Sequence, residues 1–318
     1  MSIELAPISL SSYSLSDEVK SPEKNAAIFY ILSMGTEQSR KKMTQILNNV
    51  AKQLGHDSLM QCPWGQMRSQ AILLLRSKWL QEGKAPSTIN LMLSALKGVA
   101  QKAWEFRQLD DHEFNVIKSI KGARGSRVIK GRALNAIESS RLISGCENER
   151  TIKGIRDAAI FALGVGAGLR RNELATICRS KINFQEHSVR LIGKGNKERV
   201  VYLGDAVWVR LEQWLKLRSN NGVDEVFCTV LKGNHLDESR KMSVSAIFKV
   251  ITERASEFDI TELGVHDLRR TFATRLFAMG TDINIVKEAM GHASVSTTQR
   301  YDMRGVEAVA KATKKLGI

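Results

Sequence analysis

The chain predicts a mainly α fold in two domains, with one small β patch. Three observations lead there. Apolar residues recur at helical spacing through residues 21–106, a glycine-rich basic segment interrupts the pattern at 121–132, and two β-branched runs flank a glycine turn near 187–203. The 318 residues suffice for two cores. Apolar content of 43% and charged content of 25% are ordinary for a globular protein.

Residues 1–20 are polar and aperiodic and read as a flexible arm. Ser21-Pro22-Glu23 offers a helix start, with proline at the first position and an acid in the first turn. From Thr36 to Leu54 a stripe of Met43, Ile46, Leu47, Val50 and Leu54 predicts a second helix, stopped by Gly55. A third spans about Trp64 to Glu82 and ends at Gly83. A fourth follows Ala85-Pro86-Ser87, carrying Leu91, Leu93, Leu96 and Val99 towards Trp104 and Phe106. Residues 21–120 thus form a four-helix domain without a strand signal. The segment 121–132 holds five bases (Lys121, Arg124, Arg127, Lys130 and Arg132), three glycines and no acid. It reads as a basic linker, either a solvated loop or a strap on phosphates.

Residues 133–318 form the second domain. The apolar run Ala158–Leu169 is about two-thirds of a membrane span and is broken by glycines, so it predicts a buried helix. Gly168 ends that helix and the chain re-enters another, leaving Arg170 at the junction with Glu173 one turn on. Ser188–Ile192 and Glu198–Leu203 flank Gly193-Lys194-Gly195-Asn196-Lys197, a hairpin with Lys194 at its tip. A helix from near Val265 carries His266 and Arg269, three apart, and buries Leu268, Phe272, Leu276 and Phe277. Gly280 ends it, the next helix runs from Thr281-Asp282 to Met290, Gly291 stops that one, and His292 lies in the turn. Ser294 or Ser296 caps a last short helix that carries Tyr301.

The net charge is +15 at a pI near 9.8, with +6 over residues 20–120 and +7 over 133–318. Both halves therefore favour a polyanion, whose release of counterions drives binding. Cys62, Cys146, Cys178 and Cys228 are scattered without a CxxC pair, which argues against a zinc site or disulfide framework and for reduced thiols in a cytoplasmic protein. No signal peptide or membrane span is expected. Two arginines, a lysine, two histidines and a phenol suit one anionic centre, and no carboxylate cluster accompanies them to make a metal site. Taken singly, each has a plainer reading as a surface arginine, a hairpin turn, a capping histidine or a half-buried tyrosine.

In this order and spacing the motifs Gly168-Leu169-Arg170-Arg171-Asn172-Glu173-Leu174, Gly193-Lys194-Gly195, His266-Asp267-Leu268-Arg269 and Gly291-His292, with Tyr301 nine residues beyond His292, make the chain resemble the tyrosine recombinase (phage-integrase) family. The resemblance covers about Ala158 to Tyr301. It implies a helical, SAM-like core-binding domain at 21–120 and a mixed α/β catalytic domain at 133–318. It also implies a site-specific recombinase that cleaves and rejoins DNA through a 3′-phosphotyrosine. Tyr301 would be the nucleophile and His266 would assist loss of its proton. Arg170, Arg269 and His292 would hold the phosphate, Lys194 would protonate the leaving 5′-oxygen, and Glu173 would brace the site. Neither metal nor cofactor is implied. The implied partners are duplex DNA with short inverted-repeat core sites and a homotetramer on two such sites, with an accessory recombinase or directionality factor left open.

Two departures stand out: Tyr202 where relatives carry proline, and Arg270 where a second histidine is frequent, neither expected to alter the chemistry. About 20 residues before the first helix leave no room for an arm-binding domain. The tail Val306–Ala312 would dock into a neighbouring protomer. Alternatives are a type IB topoisomerase-like relaxase, tested by relaxation of plasmid lacking a target site, and a silent DNA-binding regulator, against which intact Tyr301, Arg170 and Arg269 argue.

Overall fold

The computed structural model describes residues 25–125, 131–192, 198–219, 221–302 and 305. The N-terminal arm, the Ser21-Pro22-Glu23 helix start, Arg127, Lys130, the Lys194 turn and the tail after Gly305 lie outside the described residues. The chain divides into two compact units, Met1–Lys130 and Gly131–Ile318.

The first unit is helical: α1 (Ala26–Leu32), α2 (Glu37–Gln53), α3 (Ser69–Gln81), α4 (Pro86–Glu105) and α5 (Asp111–Ser119). Side-chain caps open three of them, Asn25 for α1, Thr36 for α2 and Asp110 for α5. Two corrections apply to the four-helix reading. The third helix begins at Ser69 because Trp64–Gln66 forms a 3₁₀ turn that buries Trp64, whose indole N–H donates to Leu59 O at 2.8 Å. A fifth helix, α5, contributes Ile117 to the core. Leu47, Ile72, Trp79, Ile89 and Leu96 fill the centre of that core.

The second unit is built around α7 (Ile152–Gly166), an almost wholly buried helix flanked by α6 (Ala136–Asn148). Next come α8 (Arg171–Thr176), β1 (Ile182–Asn183), β2 (Ser188–Ile192), β3 (Glu198–Tyr202), α9 (Asp205–Lys216), β4 (Cys228–Leu231), β5 (His235–Lys241) and α10 (Val244–Glu257). The unit closes with α11 (Val265–Ala278), α12 (Ile283–Met290) and α13 (Val295–Gln299). The strands form an antiparallel sheet β1-β2-β3 and a separate hairpin β4-β5. That second hairpin is absent from the single-patch expectation, since His235–Lys241 is too polar to show strand alternation.

At the heart of the unit, Asp157 accepts from Arg156 at 2.7 Å and from Arg254 of α10 at 2.9 Å, all three side chains being buried. These bonds tie α7 to α10. No helix among the described residues is long and apolar enough to cross a membrane.

Candidate active site

The site begins at the seam between α7 and α8. Gly168 has φ of +63°, and a Cβ there would stand 2.3 Å from Phe272 Cδ1. Both the left-handed backbone and the crowding demand glycine. The turn delivers Arg170 to the N-cap of α8. From there its backbone N–H donates to Glu173 Oε2 at 2.7 Å and its Nη1 to Glu173 Oε1 at 2.8 Å.

Glu173 is claimed a second time. Arg199 of β3 donates Nη1 to Oε1 at 2.7 Å and Nη2 to Oε2 at 2.9 Å. Burial alone would raise the carboxyl, but hydrogen bonds from Arg199 and Arg170 outweigh it and hold the group down to about 2. The carboxylate stays ionised throughout the working range.

Arg269 of α11 is buried and donates to two backbone carbonyls, Gly168 O and Met290 O. Arg170 Nη2 donates to the next carbonyl, Gly291 O, at 2.9 Å. Both guanidiniums therefore hang on the turn after α12. That turn is a left-handed cap at Gly291, with φ 58° and ψ 48°. Burial, and then the charge of Arg170, push Arg269 down to about 9, so the pocket holds cationic charge that it has not neutralised.

His292 follows the cap. Its Nδ1 lies 2.9 Å from Thr298 Oγ1 in α13, and its ring stacks on Tyr301 with centroids 5.9 Å apart at 19°. Burial, then Arg269, Arg170 and Arg199, push His292 down to about 4, which makes it a neutral imidazole. Tyr301 follows α13 and packs beside Ala273, Phe277, Val286 and Met290. The Arg270 guanidinium lies 5.9 Å from the Tyr301 ring centre, and its Nη1 donates to Gly131 O at 2.8 Å. A residue for which the sequence suggests little effect thus touches both the nucleophile candidate and the incoming chain.

Of the residues singled out from sequence, Arg170, Glu173, Arg269, His292 and Tyr301 are gathered around the Met290–His292 turn. His266 is exposed in the first turn of α11, and no hydrogen bond or ion pair ties it to the others among the described residues. Lys194 lies outside the described residues. Of the linker bases, Lys121 and Arg124 are exposed, while Arg127 and Lys130 lie outside. Arg132 is engaged elsewhere, 2.6 Å from Glu138 and donating to Thr261 O at 3.3 Å.

Sequence reasoning passed over Arg199 and Thr298. Arg199 carries a legible signal: strand alternation sets it on the same face as buried Val201, and an inward arginine needs a partner. Thr298 carries none, because a threonine in a five-residue helix looks like any other.

The phage integrase family model matches residues 132–305. Tyrosine recombinase XerC of Vibrio cholerae is 28% identical over 275 residues, which cover 85% of this chain and 82% of that protein. Tyrosine recombinase XerC of Shewanella sp. (strain MR-4) is 30% identical over 237 residues, 74% of this chain and 75% of that one. The solved structure of the Tn1549 transposon integrase in complex with transposon right end DNA superposes with a TM-score of 0.67 at 14% identity, covering 92% of this chain and 100% of the other. A lambda integrase dimer bound to a core site superposes at 0.66 and 15% identity, covering 89% and 94%. At such identities the superpositions establish a shared fold.

Proposed function

We infer the reaction from membership: this chain belongs to the phage integrase family, the tyrosine recombinases, whose members cleave and rejoin DNA. Within that activity, we assign it site-specific recombination through a 3′-phosphotyrosine. The observation that carries this is the convergence of Arg170, Arg269 and His292 on one turn beside Tyr301.

In this reading Tyr301 Oη attacks the phosphorus, the Oη–P bond forms and the P–O5′ bond breaks. The phenol proton passes to a base, a role the family resemblance gives to His266, and Lys194 protonates the departing 5′-oxygen. Arg170 and Arg269 receive the non-bridging oxygens. We assign Nδ1 of the neutral His292 as acceptor from the Thr298 hydroxyl, the tautomer that leaves Nε2–H as a further donor. Three guanidiniums (Arg170, Arg199 and Arg269) face one carboxylate, Glu173. That excess of positive charge complements the extra negative charge of a pentacoordinate phosphorus. The covalent ester conserves the energy of the broken bond, and attack by a second 5′-hydroxyl completes exchange.

The helical domain at 21–120, with the linker bases, would supply core-site binding, and 133–318 the chemistry. Four copies on two duplexes would perform the exchange, as integration, excision or replicon resolution.

The test uses nicked duplexes that this protein selects from a random-sequence pool. Cleavage at the nick strands the enzyme, so a denaturing gel shows a covalent band. The band is expected with EDTA present, because the guanidiniums supply the positive charge, and it vanishes in Tyr301→Phe. Absence of any adduct on every selected duplex overturns the assignment.

A further inference from the structure

Taking the site as a phosphodiester-cleaving centre, we infer that Arg199 is a positioning residue for the reaction: it clamps Glu173 so that Arg170 is held against the turn bearing His292. Among the described residues, Arg199 makes no hydrogen bond or ion pair with Arg269, His292 or Tyr301. Its two Nη groups are both spent on the Glu173 carboxylate, at 2.7 and 2.9 Å.

A carboxylate offers about four lone-pair sites. In Glu173 the N–H donors are Arg170 N, Arg170 Nη1, Arg199 Nη1 and Arg199 Nη2. The group is saturated, with no free lone pair to draw Glu173 towards another partner. Arg170 is thereby left one geometry, Nη1 on Glu173 and Nη2 on Gly291 O.

Arg199 also packs against the same turn. A Cβ added at Gly291 would lie 2.8 Å from Arg199 Cδ and 2.9 Å from its Nη1. The Arg199 guanidinium, Glu173 and the Gly291 backbone therefore form a stack, and Arg170 is the fourth member. Arg199 side-chain exposure is only 13%, and its position opposite Leu191 in the β2–β3 register pins the strand to α8. The fork geometry matters, since lysine brings one point charge and cannot span both carboxylate oxygens.

Without Arg199, Glu173 keeps its burial but loses half its donors. Among the described residues Arg170 remains its one direct ion-pair partner, and the Arg269 charge also bears on the group. The carboxyl then protonates at higher pH, and Arg170 loses its anchor as it does so.

The experiment compares wild type with Arg199→Lys, Arg199→Met, Glu173→Gln and the double variant Arg199→Met/Glu173→Gln. One arm measures single-turnover cleavage of the selected nicked duplex at saturating protein from pH 5 to 9. The other follows the Arg170 guanidinium ¹⁵N resonances of the DNA-free protein, with a thermal melt for each variant. Misplacing a catalytic group by about 1 Å costs on the order of 100-fold, so Arg199→Met is expected to lose about that in rate and Arg199→Lys about tenfold. Arg199→Met should show an acid-side loss of rate in addition to whatever limb wild type shows. The double variant should fall no further than the worse single one and lose that added acid-side loss. In both Arg199 variants the Arg170 resonances should broaden through faster guanidinium rotation.

Unchanged Arg170 resonances in a folded variant overturn the inference whatever the DNA result. So does a rate loss that is flat with pH, or losses that multiply in the double variant. A wild type with sharp Arg170 resonances that forms no adduct refutes the assigned reaction and leaves the clamp standing. Arg199→Lys serves as the folded variant if Arg199→Met does not melt cooperatively.

Discussion

Replacing Glu173 by glutamine keeps the shape of the side chain and removes its charge. The wild-type carboxyl falls from 4.5 to about 2, driven by Arg199 and Arg170 against the opposing effect of burial. That fall corresponds to about 3 kcal/mol favouring the ionised, folded form at neutral pH. Removing one partner of a buried ion pair costs about 3–5 kcal/mol, a range that includes this figure. The sign follows from a carboxyl whose folded value is depressed. Its contribution is complete above about pH 4.5 and is lost as pH falls towards 2. Urea unfolding of wild type and Glu173→Gln should therefore differ by about 3 kcal/mol from pH 5 to 7, with the gap closing below pH 4.5. A difference under about 1 kcal/mol at pH 7, or one that stays constant down to pH 3, would refute the clamped-carboxylate account.

Three further outcomes are expected. Thr298→Val should lower cleavage about tenfold and Thr298→Ser restore it, because the hydroxyl holds His292 Nδ1 and frees Nε2–H for the phosphate; long-range ¹⁵N correlation of the His292 ring reads the tautomer directly. The His292 imidazole should titrate near 4 in NMR, remaining neutral from pH 8 down to 5, and a midpoint above 6 contradicts the burial and cation effects assigned to it. Asp157→Ala strands buried Arg156 and Arg254 and should destabilise the second unit by about 3–5 kcal/mol in calorimetry, whereas an exposed pair such as Lys249–Glu253 should contribute under about 1 kcal/mol.

Local chemistry made much of this protein readable in one dimension. The glycine stops at Gly55, Gly83, Gly280 and Gly291 and the stripe of α2 depend on neighbours within a turn or two, so helix ends were legible to within a few residues. The motif spacing likewise marked Arg170, Glu173, Arg269, His292 and Tyr301. What the sequence left hidden needed partners distant along the chain. The 3₁₀ turn at Trp64 is decided by where its indole packs, and the β4–β5 hairpin by pairing rather than by pattern. Arg199 meets Glu173 across 26 residues, and Arg170 meets Gly291 across 121. The sequence by itself determined which side chains are able to carry charge, a proton or a nucleophile, since those are properties of side chains. Tertiary structure alone decided that the carbonyls of Met290 and Gly291 would be the common hook for both arginines, because only folding brings α7, β3, α11 and α12 to one turn.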